Sequence, residues 1–174
     1  RKLYDATPTA AGREAAATGY VRATLATGDA ARIAALADEV GALPDAGATA
    51  LREARFARAE QLRTAGDRGA AEQLYRGLAS EVRTAEGSAA AYYLIEGLFE
   101  AGDMEAAEKA VFAYSERSPR AYWLARAFLV LGDVYVNKGD TFQARATYQS
   151  IADGYSPADD GIVEAAKERI QKLN

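Results

Sequence analysis

A two-residue sequence, glycine followed by aspartate, recurs four times along this 174-residue chain at nearly even spacing. The four copies are Gly28-Asp29, Gly66-Asp67, Gly102-Asp103 and Gly139-Asp140, which lie 38, 36 and 37 residues apart. Glycine adopts the left-handed conformation that ends a helix, and an aspartate after it can accept the backbone N–H groups that begin the next helix. Each copy therefore predicts a tight turn between two helices, and a period of this length indicates a repeat array.

The composition favours helices throughout the chain. About half of the residues are apolar and a quarter are charged, which is ordinary for one packed domain, and alanine is abundant. Alanine is the best helix former, and its small side chain lets neighbouring backbones approach closely. We therefore expect a single all-α domain over residues 1–174, with essentially no strand.

Apolar periodicity and turn residues divide the chain into helix pairs. The predicted pairs cover residues 8–40, 49–83, 88–116 and 120–154. Ser88 is expected to cap the first helix of the third pair, after a break over residues 84–87. Residues 159–173 form one more amphipathic helix, with Asp159 and Asp160 at its start rather than in a calcium loop. Because the last repeat of an array needs its apolar face covered, we interpret this segment as a capping helix.

The charge pattern argues against nucleic acids and membranes as partners. The net charge is −4, spread evenly along the chain, and no segment forms a basic patch. No stretch approaches the roughly 20 apolar residues that span a bilayer, so we expect no direct membrane insertion. The first five residues have neither an initiator methionine nor the apolar core of a secretory signal. We therefore expect a piece or a processed form of a longer protein.

The residue types that carry most catalytic chemistry are missing. The sequence has no cysteine and no histidine, which removes thiol nucleophiles, the commonest general base and the usual ligands of zinc, copper or iron. Glu96 and Glu100 share a helical face, but solvation or a partner contact suits them better than acid-base chemistry or a cation site. We expect no enzyme, no cofactor and no metal site. Trp123 opens a strongly apolar helix and is expected to pack in the core or between repeats.

The fourth helix pair carries the residues of a known repeat pattern. Counted from Gly139, the pattern positions are Phe128, Leu131, Gly132, Tyr135, Ala144 and Tyr148. The third pair matches at Leu94, Leu98, Gly102, Ala107 and Pro119, and the second at Ala59, Leu62, Gly66, Ala71, Tyr75 and Leu78. With three units in tandem, residues 50–157 resemble the tetratricopeptide repeat family. The second unit departs from the pattern, because Arg55 and Arg58 stand where large apolar residues are typical.

The resemblance implies both a fold and a binding surface. The fold would be a right-handed solenoid of helical hairpins, and the first helix of each pair would line a concave groove. The residues implied to contact a partner are Glu53, Phe56, Glu60 and Arg63 in the second unit, Tyr92, Glu96, Phe99 and Glu100 in the third, and Arg126, Leu129, Asp133, Val136 and Asn137 in the fourth. This aromatic and acidic mixture suits a protein or peptide segment with basic and apolar residues. The alternative is that Phe56 and Tyr92 pack against a neighbouring helix while the glutamates are solvated.

The groove rows do not match the family's mode of clamping a carboxyl-terminal peptide, which uses basic and amide side chains. One row holds Thr18, Phe56, Tyr92 and Leu129, and the other holds Arg22, Glu60, Glu96 and Asp133. Because the carboxylates of the second row would repel a peptide carboxylate, we expect no such clamp.

Two functions stay open at the level of sequence. The first is a non-catalytic scaffold that binds a partner segment in the groove. The second is a structural spacer or self-association unit of a longer cell-envelope repeat protein, with no dedicated ligand. Residues 81–173 also resemble the carboxyl-terminal region of long exported bacterial repeat proteins of this family, which implies a periplasmic or envelope location. The period alone also fits an RNA-binding helical repeat, which the acidic groove opposes.

Overall fold

The computed structural model describes residues 2–117, 119–156 and 159–173, apart from the side chain of Leu3. The helices are α1 (Lys2–Asp5), α2 (Ala10–Ala26), α3 (Ala30–Gly41), α4 (Ala48–Thr64), α5 (Arg68–Leu78), α6 (Ala85–Glu100), α7 (Met104–Ser115), α8 (Ala121–Asn137), α9 (Thr141–Gly154) and α10 (Ile162–Gln171). No β-strand occurs within these described ranges, so the predicted all-α class is confirmed. None of the helices described there is long and apolar enough to cross a membrane.

The four glycine-aspartate turns form as the sequence predicts. All four glycines have positive φ, between 67° and 85°. Asp29, Asp103 and Asp140 are the N-caps of α3, α7 and α9, and their carboxylates accept backbone N–H groups of the first turn. The Asp67 carboxylate likewise accepts the N–H of Ala70 at 3.1 Å. In the last three turns the aspartate N–H donates to the carbonyl five residues earlier, which closes the preceding helix.

The chain divides into two compact units, unit 1 (Arg1–Leu78) and unit 2 (Ala79–Asn174). In unit 1, α4 packs against both α2 and α3, and α5 packs against α4. The core of unit 1 is built from fully buried small and branched side chains, including Val21, Leu36, Val40 and Ala54. The short helix α1 adds Tyr4, whose hydroxyl donates to the carbonyl of Pro44 and thereby ties the start of the chain to the loop after α3.

Unit 2 repeats the packing of unit 1. Its helix α8 packs against both α6 and α7, α9 packs against α8, and α10 packs against both α8 and α9. Ile95, Val111, Leu131 and Tyr148 lie in its core, and α10 buries Ile162 against the same core. The helices α4, α8 and α10 are therefore equivalent in one respect, since each packs against both helices of the pair before it. The predicted helix over residues 159–173 forms with a later start, at Ile162, where the Asp160 carboxylate accepts the first N–H.

The segment between α5 and α6 differs from the prediction. We expected a helix to residue 83, a break over residues 84–87 and a cap at Ser88. Instead α5 ends at Leu78, Thr84 is the N-cap of α6, and Ser88 lies buried in the first turns of α6. The Ser88 hydroxyl donates to the carbonyl of Val82 and accepts the N–H of Arg120. Ser88 is thus a tertiary contact point, because the buried polar groups of this segment need partners.

Helices α8 and α9 approach each other closely at Gly132. A Cβ atom at this position would lie 2.1 Å from the Tyr148 ring. Only a residue without a side chain therefore fits beneath this ring. Gly132 and Tyr148 both belong to the repeat pattern that the sequence shows in the fourth helix pair.

Candidate functional site

The predicted partner-contact residues fall on three helices in two units. Those of the second pair, Glu53, Phe56, Glu60 and Arg63, lie on α4 in unit 1. Those of the third and fourth pairs lie on α6 and α8 in unit 2, which pack against each other. The structure thus brings the predicted residues of unit 2 onto neighbouring helices.

In unit 1 the predicted carboxylates are engaged in contacts within the chain. Glu53 on α4 is paired with Arg22 on α2, with a shortest nitrogen to oxygen distance of 2.6 Å. Glu60 is paired with Arg63 at 3.0 Å and accepts a hydrogen bond from the Tyr75 hydroxyl of α5. Phe56 is half-buried, and its ring lies 6.2 Å from the Tyr75 ring, centroid to centroid. Contacts within unit 1 therefore hold the side chains on this face of α4 in place without a partner.

In unit 2 an aromatic cluster holds Arg126. Tyr92 is buried, with 3% of its surface exposed, and its hydroxyl donates to Glu96 at 2.5 Å. Arg126 of α8 lies over the Tyr92 ring, 4.5 Å from its centroid, and donates to the same hydroxyl at 3.1 Å. The closest approach of Arg126 to Glu96 is 4.0 Å. Trp123 packs against Tyr92 with the ring centroids 5.4 Å apart and contacts the core, so the predicted packing role of Trp123 is confirmed.

Asp133 on α8 corresponds to Glu96 on α6, because each lies six residues before the turn glycine of its pair. Its carboxylate accepts hydrogen bonds from Arg169 of α10 at 2.9 Å and from the Tyr148 hydroxyl of α9 at 2.7 Å. The Asn137 side chain donates to the backbone carbonyl of Asp133. The sequence reading missed Arg169, because a partner thirty-six residues away on another helix leaves no local signal.

A common register underlies these contacts. Glu60, Glu96 and Asp133 each lie six residues before the turn glycine of their pair. Tyr75 and Tyr148 each lie nine residues after it, and their hydroxyls donate to the carboxylate of the same pair. The third pair has Val111 at that position, and there Glu96 takes its hydrogen bond from Tyr92 instead. The row of carboxylates predicted to face a partner therefore also joins helices within each unit.

The predicted residues of unit 2 differ in the surface that they present. Leu129 is buried, with 8% of its surface exposed, and Tyr92 is more so. Phe99 and Arg126 are half-buried, as are Glu96 and Asp133. The exposed members are Glu100, Val136 with 41% of its surface exposed, and Asn137. Contact with a partner would therefore depend first on this exposed subset.

The tyrosines of these networks are held in the protonated state. Burial, and then the hydrogen bond to Glu60, raise the pKa of Tyr75 well above its usual value. Burial raises the pKa of Tyr92 and Tyr148 in the same way, with Glu96 and Asp133 as the second cause. Each phenol is thus a hydrogen-bond donor at neutral pH, which suits a structural contact.

No metal site is formed by the part of the chain that the structure describes. Groups of three or more carboxylate side chains in a metal-binding arrangement are absent from it. Comparisons with known proteins add no relative: no protein-family model, no curated protein sequence and no solved structure shows a significant match to the chain.

Proposed function

We propose that the chain is a non-catalytic scaffold for protein interactions, built as a right-handed solenoid of tetratricopeptide-like helical hairpins. The observation that carries this proposal is the shared face of α6 and α8 in unit 2. Glu100, Val136 and Asn137 are exposed at the carboxyl-terminal ends of these two helices. A cluster of aromatic rings, ordered by contacts between the helices, lies earlier along them at Tyr92 and Trp123. Ordered aromatic side chains ringed by polar groups are typical of surfaces that bind a peptide or a helix.

The repeated packing supports the solenoid. The glycine-aspartate turns recur at nearly constant spacing, and α4, α8 and α10 each pack against both helices of the preceding pair. In an array of this kind each repeat contacts mainly its neighbours, and the array exposes an extended surface. The capping role of α10 follows from the same packing, because it covers the apolar flank of α8 and α9.

The partner is proposed to be a protein segment with basic and apolar residues. Glu100 supplies an exposed carboxylate and Val136 an exposed apolar side chain on neighbouring helices of unit 2. Glu96 and Asp133 contribute less charge, because Arg126 and Arg169 lie beside them. The basic residues of the partner are expected to contact this face, on which Glu100 is the exposed carboxylate.

The test is a selection of peptides from a random library by the whole chain. Selected peptides should combine lysine or arginine with apolar residues, and their affinity should fall at least about tenfold for the double variant Glu100→Lys, Val136→Asp. A matched control is Glu116→Lys, Phe112→Asp, which changes the exposed carboxylate at the C-cap of α7 and one exposed apolar side chain within α7. Selected peptides that bind both double variants equally would refute the assignment of the surface.

A structural spacer with no dedicated ligand is the second candidate. It is favoured by the pairing of Glu53 with Arg22 and of Asp133 with Arg169, each of which joins two helices of the same unit. Under this alternative, library selection would enrich no sequence class. The selection experiment therefore separates the two candidates.

A further inference from the structure

Unit 1 carries an open groove on the side of the Gly28 turn. The groove has a volume of about 660 Å³ and is formed by the end of α2, the start of α3 and the second half of α4. Its apolar lining consists mainly of Leu25, Ile33, Ala57 and Leu62. The carboxylate that lines it, from Glu60, is already paired with Arg63.

One arginine lines this groove, and a second lies close to it on the same helix. Arg58 lines the groove, and its contact is a long hydrogen bond of 3.4 Å to the neutral amide of Gln61. Arg55 lies about one turn earlier on α4, beyond the residues that line the groove, and is exposed. These are the two positions at which the second unit departs from the apolar repeat pattern. The groove is therefore apolar with uncompensated positive charge at one edge.

The complementary surface lies in unit 2 at the turn between α8 and α9. Phe142, in the first turn of α9, has 81% of its surface exposed, far more than the other exposed large apolar side chains of the described residues. Close to this turn, Lys138 pairs with Glu108 at 2.7 Å. The hydrogen bond to Glu108 and the nearby charges of Glu105 and Asp140 raise the pKa of Lys138. The turn therefore combines the exposed ring with the Glu108–Lys138 pair and with two further carboxylates nearby, those of Glu105 and Asp140.

The two units also differ in overall charge. Unit 1 has eleven lysines and arginines against ten aspartates and glutamates, whereas unit 2 has ten against fifteen. Opposite charges steer association, and burial of an exposed aromatic ring in an apolar groove stabilises it. Both the opposite charges and the apolar surfaces therefore favour contact between the unit 1 groove and the Phe142 turn of unit 2.

We propose that the chain associates head to tail, with the Phe142 turn of one copy seated in the unit 1 groove of a second copy and the Glu105, Glu108 and Asp140 carboxylates facing Arg55 and Arg58. Such a contact joins different surfaces of the two copies. It therefore leaves one groove and one Phe142 turn unused in a dimer, so that further copies can add. The proposal concerns other surfaces than the α6 and α8 face and does not depend on the proposed partner.

Sedimentation equilibrium of the whole chain across concentrations from about 1 μM to about 1 mM, at low and high salt, tests the contact. The mean mass should rise with concentration, and high salt should weaken the association. Phe142→Ser and Arg55→Glu should each weaken it at least about tenfold. The control Tyr122→Ser, an exposed aromatic residue at the opposite end of α8 from the Phe142 turn, should not. Circular dichroism establishes that each variant keeps its helices, as the exposure of these side chains predicts.

Mixing the two defective variants gives the sharpest result. The Phe142→Ser copy keeps an intact groove and the Arg55→Glu copy keeps an intact Phe142 turn, so the mixture should form a one-to-one dimer and stop there. A wild-type chain that stays monomeric over the whole concentration range at low salt would overturn the proposal. A Phe142→Ser variant that associates like the wild type, or a mixture without the dimer, would overturn it as well.

Discussion

At the scale of single residues, the carboxylates of Glu60, Glu96 and Asp133 accept hydrogen bonds from tyrosines of the same unit. Each of the three lies six residues before a turn glycine, on the first helix of its pair, as the family resemblance implies. What spacing did not show is that Glu60 and Asp133 each accept a hydrogen bond from a tyrosine of the second helix. A buried phenol needs an acceptor, and a half-buried carboxylate needs donors, so each satisfies the other.

The contact between Gly132 and Tyr148 gives a prediction for stability. Gly132→Ala places a Cβ atom 2.1 Å from the Tyr148 ring, so the ring must shift within a packed core. We expect a loss of about 1 to 3 kcal/mol in the free energy of unfolding, measured by urea titration. Gly97→Ala on α6 is the control, because a Cβ there meets nothing within 4 Å and alanine favours helix. Equal stability of Gly132→Ala and the wild type would contradict the close packing.

The buried tyrosines predict sensitivity to alkali. The pKa of Tyr75, Tyr92 and Tyr148 is raised in the folded chain by burial and by the neighbouring carboxylates. The unfolded chain therefore loses these protons first, and stability should be complete below about pH 10 and fall as the pH rises further. Tyrosinate absorbance and circular dichroism should change together during an alkaline titration. Ionisation of all tyrosines near pH 10 with unchanged helicity would count against these networks.

At the scale of helices and turns, the sequence alone predicts those features that depend only on neighbouring residues. The glycine-aspartate turns could be predicted because the positive φ and the N-cap need particular residue types. The start of α6 could not, because a serine before an apolar run looks like a cap whether or not it is buried. Ser88 contacts Val82 and Arg120, and its burial is set by tertiary packing that a single sequence does not display.

The N-cap aspartates predict a measurable contribution to stability. Asp103→Ala removes the side-chain acceptor of the Ala106 N–H at the start of α7. We expect a loss of about 1 kcal/mol in the free energy of unfolding, measured by urea titration. Asp38→Ala, an exposed position inside α3, is the control and should change stability by less than about 0.5 kcal/mol. A larger loss for Asp38→Ala than for Asp103→Ala would argue against the capping role.

At the scale of the whole molecule, the equivalent packing of α4, α8 and α10 is the main regularity. The sequence predicted a last helix with an apolar face, and the structure places that helix against α8 and α9. The sequence could not show that Arg169 of this helix completes the Asp133 network, since an arginine on a helix surface has many alternative positions. The pairing of Asp133 with Arg169 therefore depends on how the helices pack and could not be predicted from the sequence.

Removal of α10 should consequently destabilise unit 2. A chain ending at residue 161 exposes the core contacts of Ile162 and Ala166 and leaves Asp133 without Arg169. We expect a loss of at least about 3 kcal/mol in the free energy of unfolding. The fluorescence of Trp123, the single tryptophan, reports on unit 2 during urea titration. Arg169→Gln in the full chain isolates the charge contact and should cost less than the truncation. A truncated chain as stable as the full chain would refute the capping role.

The proposed function requires the exposed face of α6 and α8 to contact the partner. Nuclear magnetic resonance of the labelled chain, titrated with the tightest-binding peptide from the library, tests it most directly. Amide shifts should change at Glu100, Val136 and Asn137 and stay constant along α7. Shifts confined to α7 or α9, with those three residues unchanged, would contradict it.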